Sequence, residues 1–399
     1  MADTPNPVSP STNTRADEAM RPAVERFRTR MFSANTKFIQ DRIAEIEARG
    51  CATETEKRSR LCFYRYMDYL KWDDDDPAIS TSDPEKIRLP SGTSLSDIDV
   101  PAILKALPYY PELYADGVLP PLLRTDAWRQ MYVDTLQRAF QRQADEWVPG
   151  GTSGLWERTP LEPLTIPPCD ELALFLTYAG GVSDPDFRYA EIAPFNPSLG
   201  AGIPEHELRR LSEDEIRERY ADPEFLDHER ERLTERLEDH SWNSDLINES
   251  QLGEILVDDD LEIRAGFVTG QRWNSRHEGP EWFSAYLYCR LWPDDSDDEE
   301  EEEDRSHTAI QTENPDKNEE IQDAANIRDW GWRVVFFRGK VGNPTPLYGR
   351  RARFDSIPEF LDWYASWAEH LDARGLRSLV NHAVGCKTDC ETDCEEHYG

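Results

Sequence analysis

Residues 330–371 limit what this chain can fold into more than any other stretch. They read WGWRVVFFRGK, then VGNPTPLYGRRARFDS, then IPEFLDWYASWAEHL. The first piece is β-branched and aromatic, the composition that suits a pleated, half-buried surface. Gly339, Gly342, Asn343 and Pro344 interrupt it, and residues 346–354 offer a second short strand. Ser356 and Glu359 then form a capping-box pattern, in which Ser356 accepts from a free helix-start N–H and Glu359 reaches back. Behind it Phe360, Trp363, Tyr364, Trp367 and Leu371 recur at spacings of three and four, which puts them on one helix face. A strand, a turn, a strand and a capped aromatic helix lying on the sheet follow from this segment alone.

Upstream the periodicity is helical. Residues 1–17 are Pro, Ser, Thr and Asn with little to bury, and are expected to be disordered. The spacing predicts a helix over residues 31–49, with Phe38, Ile39, Ile43 and Ile46 on one side and Gly50 as its C-cap. A second is expected over residues 54–72, rich in Phe63, Tyr64, Tyr66, Tyr69 and Trp72. After a polar connection to about residue 95, helices are expected over residues 98–107 and 126–147. The latter turns Trp128, Met131, Tyr132, Leu136 and Phe140 inward. Residues 18–147 thus read as an all-helical region, and the turn-rich VPGGTSG at 148–154 reads as the joint to an α+β domain over residues 155–375.

Within that domain residues 169–178 form a short apolar helix stopped by Gly180 and Gly181. Residues 187–192 offer a strand. Residues 205–240 are dense in Arg and Glu with a thin apolar stripe through Leu208, Leu211, Ile216, Phe225, Leu233 and Leu237, which fits an exposed helical excursion laced with ion pairs. Strands are expected at 253–257, 261–269 and 281–292, with a polar loop, QRWNSRHEGP, between the last two. Ten of the eleven residues 294–304 are acidic, and polar sequence continues to residue 326. Like charges at that density do not pack, so residues 294–326 read as a solvated insertion between strands. The expected fold class is α+β: a helical N-terminal region, then a mostly antiparallel sheet with helices packed on one side.

From residue 164 to residue 371 the order of elements resembles the SUKH superfamily. The resemblance rests on Ile166-Pro167-Pro168, on residues 172–178 (LALFLTY), on Gly180-Gly181, on the run of strands, and on the closing Asp355-Ser356-Ile357-Pro358-Glu359-Phe360-Leu361. Ile357 stands where the family usually has an aromatic residue. What the resemblance implies is an intracellular domain of the toxin-immunity or cell-wall-regulator type, one that binds another protein and carries no catalytic residues.

Charge and cysteine content narrow the function classes further. Eighty acidic against 45 basic residues give a formal net charge of −35 over 399 residues, which repels a phosphate backbone and argues against nucleic acid as a partner. No apolar run approaches the ~20 residues of a spanning helix, so no membrane partner is expected. The N-terminus lacks the form of a signal peptide, which points to the cytoplasm, or the nucleus. Seven cysteines are scattered, and Cys51, Cys62, Cys169 and Cys289 read as buried free thiols. The tail over residues 380–399 holds Cys386, Cys390, Cys394 and His397, a donor set that suits zinc. Its spacing does not match the usual paired ligands, so neither metal nor cofactor is expected. No phosphate loop, dinucleotide motif, zinc-protease helix or nucleophile elbow is present.

Two groups remain as candidate contacts for a protein partner. Arg272, Trp273, Arg276 and Trp282 sit on or beside the polar loop and are residue types enriched in binding hot spots. Arg350, Arg351 and Arg353, with Arg338 and Lys340, form the concentrated basic patch. It either docks an acidic partner or neutralises the chain's own acids. An enzyme with a site assembled from Arg272, His277 and Glu278 is the alternative from a different class.

Overall fold

The structure is a computed structural model. It describes residues 12–49, 53–61, 70–72, 87–106, 114–121, 125–146, 164–182, 194–198, 211–238, 246–247, 261–274, 279–291, 329–338 and 353–370. Helices α1 (Thr12–Ala48), α2 (Glu54–Leu61), α3 (Val100–Ala106) and α4 (Asp126–Glu146) come first, with α5 (Asp170–Tyr178), α6 (Glu213–Ala221) and α7 (Pro223–Glu238) following. Strands β5 (Leu261–Asn274), β6 (Gly279–Leu291), β7 (Gly331–Arg338) and β8 (Arg353–Phe354) form an antiparallel four-stranded sheet in chain order, closed by α8 (Ile357–His370). Two short pairs precede that sheet: β1 (Leu70–Trp72) with β2 (Ile87–Leu89), and β3 (Val118–Leu119) with β4 (Gly181–Val182). The class is α+β, with the helices leading.

Helix α1 is the main surprise. It begins at Thr12, so residues 12–17 are helical rather than disordered, and it runs through Pro22 to Ala48. Met20, Val24, Phe27, Met31, Ala34 and Phe38 alternate in steps of four and three and are all buried. That is the seam spacing of one helix packed along another. Its first half lies along α8, with Phe27 and Tyr364 ring centroids 6.4 Å apart. Arg26 reaches Asp362 at 2.8 Å, and Arg30 donates to Glu369 through Nε and Nη2, each at 2.7 Å. These half-exposed pairs fix register more than they add stability, about 0.2–1 kcal/mol each. The second half, through Ile39, Ile43 and Ile46, enters a separate core with Leu61, Trp72, Leu95, Ile103 and Leu104.

The N-terminal region is therefore not all-helical. Residues 70–72, expected to end a helix, instead pair in parallel with residues 87–89 (Leu70↔Ile87, Trp72↔Leu89). Leu70 and Trp72 are buried and Lys71 is half-buried, so alternation with period two wins over the helical reading of an aromatic run. Nor does this region keep its core to itself. Met20, Phe27, Trp128, Tyr132 and Phe140 share one cluster with Phe267, Tyr286, Val334, Phe354 and Tyr364.

The four-stranded sheet is apolar on both faces. Ala265, Phe267, Tyr286, Tyr288, Val334 and Phe354 face the helices, while Leu261, Ile263, Val268, Ala285, Leu287, Cys289 and Val335 form a second cluster with Ile247 on the other face. Among the described residues the helices pack on the first face only. The charged excursion is helical, yet it is not free of the body: α7 lies on α4, and Tyr220, Leu233 and Leu237 are buried. Outside the described residues fall the expected strands at 187–192 and 253–257, the joint at 148–154 and the insertion at 294–326.

Candidate functional site

Strand β5 carries two charges into a setting where charge is costly. Glu262 is 3% exposed and Arg264 6% exposed, on a strand whose neighbours Leu261, Ile263 and Ala265 are fully buried. The ladder pairs Ile263 with Cys289 and then Ala265 with Tyr288, so Arg264 is the extra residue of a bulge. A bulge re-aims a side chain that strict alternation would send elsewhere. Here it brings the Arg264 guanidinium over the Trp330 indole, 5.4 Å from the ring centroid. Arg290, directly across the ladder from Glu262, lies over the same indole at 4.9 Å. Tyr288 stacks on Trp330 at 5.4 Å and 18°.

Hydrogen bonding in this cluster is incomplete. Glu262 takes Arg290 Nε–H at 2.7 Å and receives Arg264 Nη2 only at 3.4 Å. Arg264 Nε is sealed from solvent with no hydrogen-bond partner. Burial pushes the Arg264 guanidinium below its ordinary value, which Glu262 opposes and the neighbouring Arg290 reinforces. Arg333, equally buried at 5% on the other face, shows what a satisfied arginine looks like in this sheet. It donates to Asp355 at 2.8 Å, to the Cys289 carbonyl at 2.5 Å and to the Asp329 carbonyl at 3.1 Å. Arg333 ties β7 to the entry of α8. Arg264 ties little, so the two buried arginines have different uses.

Of the sequence-predicted residues, Arg272, Trp273 and Trp282 lie at the far end of the sheet. Arg272 and Trp273 belong to β5 rather than to a loop, because the β5–β6 ladder continues through Arg272↔Trp282, Trp273↔Pro280 and Asn274↔Gly279. Polar residues at the tip of a two-stranded ribbon mimic a loop in composition. Trp282 also pairs with Arg338 on β7, so Arg272, Trp282 and Arg338 form one row across three strands. Arg353 opens β8 opposite Val335 and is half-buried. It stands close enough to Cys289 to oppose the upward push on that thiol. Arg276, His277, Glu278, Arg350, Arg351, Cys386, Cys390, Cys394 and His397 lie outside the described residues, among which no cluster of metal-ligating side chains occurs. Sequence reading passed over Glu262, Arg264, Arg290 and Trp330. The available signal was charge inside strands that are apolar on alternate positions.

One further ionisable group is polarised. Glu171, in the first turn of α5, accepts the Ile357 N–H at the start of α8 at 3.2 Å. Burial pushes its carboxyl up to about 7, with the Ile357 N–H pulling down and Glu359 pushing up. This carboxyl is committed to bridging two helix starts. Burial also pushes Cys169 up to about 12 and Cys289 up to about 11, so both behave as small hydrophobes. Because Glu171 rises from 4.5 to about 7 on folding, the folded chain holds a proton that the unfolded chain has released in that window. Its stabilising contribution is complete below the lower value and is lost as pH rises through the upper one. Glu171→Gln is therefore expected to melt with the parent near about pH 4 and to exceed it by about 1–3 kcal/mol near about pH 8. Urea unfolding at both pH values checks this, and an equal difference at the two would show that Glu171 ionises freely in the fold.

No helix among the described residues is long and apolar enough to cross a membrane. No family model matches the chain, and no curated protein or solved structure matches it either.

Proposed function

We propose that this chain is a non-enzymatic protein-interaction domain that works in the cytoplasm or nucleus. The observation that carries the reading is Trp330, half-buried at the rim of the sheet and flanked by Arg264, Arg290 and Tyr288. Trp, Tyr and Arg are the residue types that dominate binding energy when gathered in one place. The order of α5, an antiparallel meander and a closing helix on the sheet is also the order implied by the SUKH resemblance, and it supports the same class. Of the enzyme alternative's residues, Arg272 is a strand position in β5, and His277 and Glu278 lie outside the described residues. Glu171, the polarised carboxylate, is spent on Ile357.

The test compares affinity purification of the tagged full chain with that of a Trp330→Ala variant from the native cell. Truncating a hot-spot tryptophan costs about 2 kcal/mol or more, roughly thirtyfold in affinity. A protein held by the parent and lost from the variant, with both chains melting cooperatively, is the expected result. Identical captured sets would remove Trp330 from the interface and the reading with it.

A further inference from the structure

Arg264 is a buried charge whose hydrogen-bonding capacity is largely unused. Its side chain is 7% exposed, its single hydrogen bond is 3.4 Å long, and its Nε has no hydrogen-bond partner. A guanidinium has five N–H donors, and leaving buried donors unmade costs the desolvation of each. Such a residue persists where something else supplies the acceptors. Three features say what that something is. Arg290 stands beside Arg264 over the same indole, with 34% of its side chain exposed, so the pair opens toward solvent at one edge. Among the described residues Glu262 is the one carboxylate bonded to either arginine, so there two positive charges meet one negative charge and the described cluster carries a net charge of +1. Trp330 and Tyr288 form an apolar floor that keeps water from screening the pair.

Resting on the protein-interaction reading above, we infer that Arg264 and Arg290, held over Trp330, form an acceptor site for one carboxylate of an acidic side chain on the partner protein. The charge count selects the ligand. A carboxylate, with one negative charge, brings the cluster to zero, whereas a phosphate dianion would leave a buried excess of −1. Planar oxygens also match the guanidinium fork two by two. A nucleic acid backbone is disfavoured by the chain's net charge of −35. A single carboxylate contact is not, because repulsion from distant acids is screened beyond ~8 Å in physiological salt.

The test uses the folded full chain, 15N-labelled on arginine, with the Nε–H signals of Arg264 and Arg290 assigned by Arg264→Lys and Arg290→Lys. Sodium acetate, inorganic phosphate and a capped tetraglutamate peptide are titrated at constant ionic strength. Saturable shifts of both signals with acetate and peptide are expected, with phosphate at least about tenfold weaker. Arg264→Met should weaken peptide binding at least about tenfold, and Arg290→Gln, a change at a part-exposed position, should do the same in a chain that still melts cooperatively. Glu262→Gln raises the cluster to +2 and is expected to reverse the preference toward phosphate. Absence of saturation, or tighter phosphate binding by the parent, overturns the assignment. So does a tenfold gain in acetate affinity when residues 294–304 become a Gly/Ser linker, since the chain's own acids would then be the occupant. The two proposals fail separately: a partner captured through Trp330 without any anion binding sinks this inference alone, and identical captured sets from the parent and Trp330→Ala sink the wider reading.

Discussion

Gly266→Ala is expected to destabilise the chain by about 3–5 kcal/mol, the sum of backbone strain and overpacking at one buried position. Gly266 sits in β5 opposite Leu287 with φ at +156°, a conformation that L side chains rarely adopt. An added Cβ would lie 2.5 Å from the Tyr286 carbonyl oxygen and 2.5 Å from Leu287 Cδ2. Leu287 Cδ2 can rotate away, but the Tyr286 carbonyl belongs to a backbone fixed in the ladder. The glycine itself is also held at both ends. Its N–H donates to Gln143 Oε1 of α4 at 2.8 Å, and its carbonyl accepts the Ile247 N–H at 3.1 Å. Relief would require parting β5 from β6 beside Phe267, Tyr286 and Leu287, all with no exposed surface. Chemical denaturation should show a lowered midpoint at unchanged slope. A loss under about 1 kcal/mol would mean that the strands part easily and that the close approach is not a constraint.

Much of α4 and of the closing segment was legible because their signals are local. The capping box is present in nearly the predicted form: Glu359 N–H donates to Ser356 Oγ at 3.2 Å, while the Glu359 carboxylate takes the Asp355 N–H at 2.9 Å, one residue earlier than expected. Phe360 and Tyr364 are fully buried, as their spacing required. Helix α4 matches its prediction to within one residue, and the five side chains expected to face inward all do. The failures share a cause, which is that a distant partner decides between two local readings. Residues 70–72 become a strand only because residues 87–89 arrive to pair with them. The early start of α1 depends on α8, more than three hundred positions away in sequence, to bury Met20, Val24 and Phe27. The steps of four and three from Met20 onward were readable, but Pro22 and the polar opening of the chain argued against a helix there. For the site, sequence shows charged residues in strands and not the bulge that turns Arg264 onto Trp330. A bulge arises from the register of two strands, which no single strand specifies.

The same sharing of a core makes the boundary at residues 148–154 a poor place to cut. Residues 155–375 expressed alone are expected to show no cooperative thermal transition, although they contain the whole four-stranded sheet and α8. In the full chain Phe140 sits 5.5 Å from Phe267 and 5.1 Å from Trp332, so α4 covers the middle of the sheet. Trp128 lies 5.4 Å from Tyr220 and 5.5 Å from Phe225, so α4 also seats the charged helices. Phe27 covers Tyr364, whose helix would otherwise show Leu361, Tyr364, Ala365 and Ala368 to water. Phe27, Trp128, Tyr132, Leu136 and Phe140 are each buried to within 1%. At about 1.5–3 kcal/mol for each large apolar side chain, their loss amounts to roughly 7–15 kcal/mol. That equals the whole stability of an ordinary domain, about 5–15 kcal/mol. Adding residues 12–147 as a separate chain should restore the transition, since the missing surface is supplied without the joint. Circular dichroism melts of the fragment, of the mixture and of the full chain decide the matter. A cooperative melt from the fragment alone would show that the sheet and α8 close a sufficient core by themselves, and that α1 and α4 are additions rather than parts of the fold.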